Sequence, residues 1–286
     1  MAVIGLFVIV LVVALVALVV AGVLGRPADA GRDAAWLART WVVPPDEVDV
    51  YSRYLARVRT HRRVGGLLGV LFAAVVGIVY AGTIGFGIVA PGPLGDVLFC
   101  GVAGVLVGAM SAEVYRLGLP RAATTASASL APRPTLPGAR QVLAARVVVT
   151  VAVGVGAALV ITGHDVTTLL AAALGALLVG LCEATRAAVA HRRRAALSER
   201  ALVVDGNLRA FAARTVAALE LAAAVLAATW AASGAHAAGW LPGVLGMVVV
   251  LGGLVVAVVL LVKASPRPPR RHASSPALVA GTVPLA

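Results

Sequence analysis

The sequence predicts an all-α fold, a polytopic bundle of transmembrane helices. The chain is 61% hydrophobic and only 13% charged, with a mean hydropathy of +1.01, whereas soluble domains carry about 25% charged residues. Apolar runs of about 20 residues recur along it, the length at which a helix crosses a hydrocarbon core of about 30 Å. These runs are apolar on all sides rather than alternating, which excludes the strands of a membrane barrel.

About seven spans are predicted, at 3–24, 66–89, 94–114, 142–162, 166–189, 215–233 and 241–262. The first has no basic segment before it and is longer than the apolar core of a signal peptide, so we expect an uncleaved helix. The other six form three helical hairpins. Together they make one transmembrane domain of residues 1–263, and the Pro- and Ser-rich tail at 264–286 is predicted to be disordered.

The basic residues predict the orientation. All 24 Lys and Arg fall in four segments, at 25–63, 116–146, 186–214 and 263–286, and the turns inside the hairpins carry none. Basic loops stay on the cytoplasmic side of a membrane. We therefore expect the amino terminus outside, the carboxyl terminus in the cytoplasm, and a multi-pass protein of the cell (plasma or inner) membrane. The same rule explains the net charge of +12 without a nucleic-acid partner.

Two of the basic segments are predicted to form helices outside the membrane. Segment 45–63 opens with acidic residues and closes with basic ones, which suits the helix dipole, and its apolar face consists of Tyr51, Tyr54, Leu55 and Val58. It predicts a cytoplasmic amphipathic helix lying on the membrane surface, with Trp36 and Trp41 as headgroup anchors. A docking helix for a cytosolic partner is the alternative. Segment 190–214 is predicted to be helical except for a turn at 205–207.

Small residues form a ladder along the second span, at every fourth position: Gly65, Gly69, Ala73, Gly77, Ala81 and Gly85. Such a flat face lets helix backbones approach closely, so this span is predicted to be central, with a glycine-lined pore as the alternative. Shorter ladders occur on the third span (Gly101, Gly104, Gly108) and on the fourth (Thr150, Gly154, Ala158). Besides membrane lipid, these faces predict other membrane proteins or a second copy of the chain as partners.

Two hairpins resemble each other. The return helix of each begins with an acid, Asp96 or Asp165, and ends with Glu-x-x-Arg, which suggests a duplication. The charged pairs lie three residues apart on one helix face. With one further arginine they form a candidate cytoplasmic-side charge layer of Glu113, Arg116, Arg146, Glu183 and Arg186. Ion pairs that mark the helix ends are one interpretation, and a gate or a partner-binding layer is the other.

Glu220 is the candidate intramembrane functional residue. It lies six residues beyond Arg214, about 9 Å into the membrane at 1.5 Å per residue. An ionised carboxylate there is costly unless it is paired or hydrated. The neighbouring face of its helix carries only small residues, so we expect Glu220 to point into the bundle: Ala213, Ala217, Ala224 and Ala227. A salt bridge to Arg116, Arg146 or Arg186 and a transport or proton site are both open.

Motifs for catalysis and for cofactors are missing. The chain has no GxSxG, HExxH or P-loop pattern, and Ser111 is predicted to have no histidine at its depth for a serine–base pair. Asp96, His164 and Asp165 are explained as turn and capping residues rather than metal ligands. Cys100 and Cys182 lie inside spans as small apolar residues. No enzyme, cofactor or metal is predicted.

Two functions from different classes follow from this pattern, and an intramembrane enzyme is the least favoured third. The first is a non-enzymatic component of a membrane assembly, such as a subunit, a scaffold or an assembly factor. The alternative is a small permease or exporter with Glu220 as its coupling or substrate site. Few side chains inside the spans can form hydrogen bonds, which favours an apolar substrate for that alternative.

Overall fold

The computed structural model describes residues 29–40, 42–79, 93–115, 137–164, 166–191, 199–241, 243–267 and 278–279. Its helices are α1 (Ala30–Ala38), α2 (Pro45–Val79), α3 (Pro93–Tyr115), α4 (Ala139–Ile161), α5 (Thr167–His191), α6 (Glu199–Ala237) and α7 (Gly243–Lys263). Two strands of two residues each, β1 (Val42–Val43) and β2 (Leu278–Val279), pair in parallel. The predicted all-α class is confirmed.

Four of the described helices are long and apolar enough to cross a membrane: Ala139–Ile161, Thr167–Ala190, Arg200–Ala237 and Val244–Lys263. Their outward faces expose rows of large apolar side chains, such as Leu143, Val147 and Val151 on α4, each more than half exposed. Surfaces of this kind are stable against lipid and not against water. The predicted span 3–24 and the end of the second span lie outside the described residues, so the seven spans and their orientation stay predictions.

Helix α6 is the centre of the bundle. In the most apolar 18 residues of each candidate span, 72% of the α6 residues are buried, against 24–28% for α4, α5 and α7. Alanine makes this possible, because side chains such as Ala217, Ala222 and Ala224, all fully buried, let neighbours approach on several sides. In its described part, residues 66–75, the second span is mostly exposed and is not the centre of the bundle, contrary to expectation. Its ladder offers one flat face to one partner, whereas α6 is small on most of its circumference.

The glycine ladder of α2 packs against α3. A methyl group at Gly65 would lie 2.7 Å from the Gly108 Cα atom, and one at Gly104 would lie 2.9 Å from the Gly69 Cα atom. Ala73, the next member, is buried beside Cys100. The described part of the ladder therefore serves close helix packing rather than a pore. Positions 77, 81 and 85 lie beyond the part of α2 whose packing is described.

At the end of the bundle that carries most basic residues, called the basic end below, α1 and the first turns of α2 and α6 form a layer. Tyr51, Tyr54, Leu55 and Val58 are at most 2% exposed in it, and the Trp36 ring meets Phe211 edge-on at 5.4 Å. The prediction that this face lies on lipid is wrong, because α1 and α6 cover it. Trp41 lies outside the described residues.

The extension of α6 makes that layer possible. The sequence predicts a turn at 205–207, yet α6 is continuous from Glu199 to Ala237. An ion pair between Arg209 and Asp205, 2.6 Å long, joins successive turns there and stabilises the helix at its glycine. The predicted turn is therefore wrong, and the helix continues beyond the apolar span into the layer.

Arginines of α2 hold the chain that follows α7. The Arg59 Nε and Nη2 atoms donate to the Pro266 carbonyl at 3.0 and 2.8 Å, and Arg62 Nη2 donates to the Ala264 carbonyl at 2.5 Å. Arg59 also pairs with the buried Asp33 at 2.7 Å. Residues 264–267 are thus bound to α2, in contrast to the predicted disorder of the tail. Residues 268–277 and 280–286 lie outside the described part of the chain.

Candidate functional site

Glu220 lies inside the bundle on α6. It is 0% exposed, and neither carboxylate oxygen has a hydrogen-bond partner among the described residues. The alanines of its face are buried with it, as the small-residue face predicts: Ala213, Ala217, Ala224 and Ala227. Because an unpartnered buried charge is among the costliest features a fold can contain, the packing alone does not explain why this position holds a glutamate.

The register of α5 against α6 shows what faces Glu220. Thr168 packs against Gly234, and Gly175 packs against Ala227. From the first contact to the second, α5 advances by seven residues while the antiparallel α6 goes back by seven, which is about two turns on each. The next step of seven pairs Cys182 with Glu220. Cys182 is therefore level with Glu220. Its thiol lies 3.2 Å from the Met110 sulfur of α3, in a fully apolar contact layer.

Directly after Cys182 on α5, Glu183 binds Arg146 of α4. The bond is bidentate, with Nε to Oε1 at 2.6 Å and Nη2 to Oε2 at 2.9 Å, a strong geometry for a guanidinium and a carboxylate. The sequence pairs Glu183 with Arg186 on the same helix. In the structure Arg186 instead donates to the Pro137 carbonyl at 3.0 Å. Arg146, Glu183 and Arg186 all lie close enough to Glu220 to act on it electrostatically.

Glu113 belongs to a separate group at the basic end. It is 1% exposed, and its Oε1 atom accepts a hydrogen bond from the Tyr54 hydroxyl at 2.5 Å. Arg62 lies beside them: burial lowers the pKa of Arg62 to about 10, while the nearby charge of Glu113 opposes that shift. The predicted charge layer is therefore two groups, one on α2 and α3 and one on α4 and α5. Arg116 lies outside the described residues.

Ser111 does have a histidine beside it, so that sequence prediction is wrong. The His61 Nδ1 atom lies 2.9 Å from the Ser111 hydroxyl oxygen, because α2 continues through residue 61 alongside α3. The serine donates its own proton to the Gly108 carbonyl at 2.8 Å. With that proton engaged, His61 serves as the donor and not as the base that a serine nucleophile needs.

The described part of the turn between α4 and α5 shows no metal centre. His164 lies 3.1 Å from the Thr162 hydroxyl and meets the Trp240 ring edge-on, while Asp165 is outside the described residues. Among the residues that the structure does describe, no three His, Cys, Asp or Glu side chains come together as metal ligands. The absence of a metal site stays a prediction.

An apolar groove opens between α4 and α6, toward the end opposite the basic one. Its volume is about 360 Å³, and valines and alanines of the two helices line it, with Trp240 and Leu241 closing it. The nearest lining residue of α6, Ala228, lies eight residues from Glu220, or about 12 Å along the axis. The groove suits an apolar chain and offers a polar solute almost no hydrogen-bonding groups.

Sequence reasoning missed Tyr54, His61 and Arg62 as partners of the α3 polar groups. The only signal was the Glu113 position itself, because a carboxylate at the end of an apolar run needs a donor from some other helix. Comparison of the chain with known protein families, with curated proteins and with solved structures finds no match. The role of this membrane-type helical bundle therefore has to be inferred from its own residues.

Proposed function

We propose that the chain is a non-enzymatic component of a membrane assembly, a subunit or scaffold that binds another membrane helix through α4. One observation carries this proposal. In the stripe of Thr150, Gly154 and Ala158, the first two residues are exposed and Ala158 is half-buried, and a side chain built at Gly154 meets nothing within 4 Å. Small residues on a lipid-facing surface let a second helix approach closely. The ladders of α2 and α3, in contrast, already contact each other within the chain.

The test places a bulky side chain at this open position. Gly154→Leu should disrupt the contact, whereas Gly180→Leu on α5, which is also exposed with nothing within 4 Å, serves as the matched control. In native membranes, disulfide crosslinking of a Thr150→Cys variant reports the contact. We expect the crosslinked fraction to fall about tenfold with Gly154→Leu alone, as losing 1–2 kcal/mol of helix association implies. Equal crosslinking in both backgrounds would contradict the proposal.

The crosslinked product also identifies the partner. A product of twice the chain mass indicates a second copy, and any other mass indicates a different membrane protein.

Under the predicted orientation, the layer of α1, α2 and α6 then lies on the cytoplasmic side of the assembly. Polar groups that are engaged within the chain, such as Arg146 with Glu183 and Tyr54 with Glu113, support a structural role over solute transport.

A small permease or exporter for an apolar substrate is the second candidate. The unpartnered carboxylate of Glu220 and the apolar groove between α4 and α6 favour it. Its test is the efflux of a lipophilic dye from vesicles under an imposed pH gradient. If the candidate is correct, Glu220→Gln abolishes efflux while the protein still inserts and assembles. Efflux that is unchanged by Glu220→Gln, or absent from the native protein, removes this candidate.

A further inference from the structure

We propose that Glu220 is a proton-binding site coupled to Arg146, which binds Glu183 while Glu220 is protonated and turns to Glu220 when the proton leaves. The described structure then represents the protonated state, in which Arg146 is committed to Glu183. The proposal concerns the chemistry of this side chain and holds for an assembly component and for a permease alike.

Burial gives the first reason. Glu220 is 0% exposed, and both of its oxygens are without a hydrogen-bond partner in the described part of the chain. An ionised carboxylate in that position loses its hydration and gains nothing in return, whereas a neutral carboxylic acid loses far less. Cys182 faces Glu220 at the same level. Its thiol donates a hydrogen bond to the Met110 sulfur, and it offers Glu220 no positive charge.

The surrounding charges give the second reason. Several described titratable or charged side chains lie on the helices packed against α6: Arg32 and Asp33 of α1, Cys100 and Glu113 of α3, Arg140 and Arg146 of α4, Cys182, Glu183 and Arg186 of α5, and Lys263 of α7. The charges that act on Glu220 are those of Glu183, Arg186 and Arg146. Glu113 is bound to Tyr54. Glu183 disfavours a second negative charge nearby, and its bidentate bond engages the Arg146 guanidinium. Protonation of Glu220 leaves the Arg146–Glu183 ion pair intact and adds no second negative charge beside Glu183.

The geometry of α4 gives the third reason. A methyl group at Gly138, the residue before α4, would lie 2.7 Å from the Ala217 Cβ atom, so position 138 is level with position 217 of α6. Because α4 and α6 run parallel, Arg146 is level with position 225. It therefore lies about five residues, or about 7 Å, farther along the axis than Glu220. Helical side chains slant toward the amino-terminal end of their helix, which directs Arg146 toward the level of Glu220. The Arg146 side chain is 58% exposed, so the surrounding protein leaves it room to rotate.

Infrared difference spectroscopy tests the proposal on the full chain in phosphatidylcholine–phosphatidylglycerol vesicles. A pH step should remove the C=O stretch of a protonated carboxyl in the native protein, and Glu220→Gln should lack that band. Glu183→Gln releases Arg146, so the band should disappear at lower pH. Arg146→Gln removes the compensating charge, so the band should persist to higher pH. We expect each shift to be about one pH unit or more.

Arg200→Gln is the matched control, because it breaks a similar ion pair, to Glu47, in the layer at the basic end. That variant should leave the band at its native pH. Equal midpoints in the Glu183 and Arg146 variants would overturn the coupling, and these two keep Glu220 intact, so they do not depend on Glu220→Gln folding. A larger shift with Arg186→Gln than with Arg146→Gln would also overturn it. No readout uses assembly or efflux, so failure here is distinguishable from failure of either proposed role.

Discussion

Gly65→Ala should separate α2 from α3, although the change adds a single methyl group. The new Cβ atom would lie 2.7 Å from the Gly108 Cα atom, 2.9 Å from the Gly108 nitrogen and closer still to the Gly104 carbonyl oxygen. All three are backbone atoms, so no side chain can rotate away to make room. The helices have to move apart along the whole ladder, and the contacts at neighbouring positions weaken with them.

Overpacking of this kind costs about 1–3 kcal/mol, and the rigid backbone on both sides places Gly65→Ala near the upper value. Alanine in place of glycine in a helix returns about 1 kcal/mol. The expected net loss is therefore about 2 kcal/mol. Gly180→Ala is the matched control, since nothing lies within 4 Å of its added methyl group, and it should stabilise the protein by about 1 kcal/mol.

The assay is reversible unfolding of the purified protein in mixed micelles at increasing SDS, followed by circular dichroism. The two variants should differ by about 3 kcal/mol in the free energy of unfolding, roughly a hundredfold in the equilibrium constant. If Gly65→Ala unfolds at the same SDS fraction as Gly180→Ala, the close approach of α2 and α3 is not what the ladder provides, and the reasoning fails.

Four further substitutions test other parts of the structure in the same unfolding assay. Tyr54→Phe removes the hydroxyl that binds the buried Glu113 and should cost about 1–3 kcal/mol, because the carboxylate loses its donor; an unchanged stability would show that another donor replaces it. Leu55→Ala, at a position that is 0% exposed, should cost about 2–5 kcal/mol, whereas Leu68→Ala, 59% exposed on the same helix, should cost far less; similar losses would mean that the layer is not packed. Glu220→Gln should leave the protein as stable as before or more so, since a neutral amide replaces a buried acid; a loss above about 2 kcal/mol would indicate that the ionised carboxylate has a partner.

The helical spans could be predicted from the sequence because a membrane helix satisfies its backbone groups internally. Apolar runs at 142–162, 166–189, 215–233 and 241–262 predicted helices close to α4, α5, α6 and α7. The position of Glu220 inside the bundle was also predictable, since only small residues share its face. These inferences depend on periodicity along one helix, which is local information.

The contacts between helices were not predictable in the same way. The sequence paired Glu183 with Arg186 because they lie one turn apart, yet the bidentate partner is Arg146. It assigned the face containing Tyr54 to lipid, although α6 extends far enough to cover it. Any basic residue near the same depth could have served as the partner of a given acid, and depth alone does not say which helices are neighbours.

For this protein the sequence by itself determined the class, the apolar spans of α4 to α7 and the burial of Glu220, because hydrophobic length and face composition act on each helix separately. Only the tertiary structure decided that α6 is the central helix, that Arg146 binds Glu183, and that Glu220 is enclosed opposite Cys182. Those features depend on how closely particular helices approach each other. That approach is set by the small residues of two partners together, and neither helix specifies it alone.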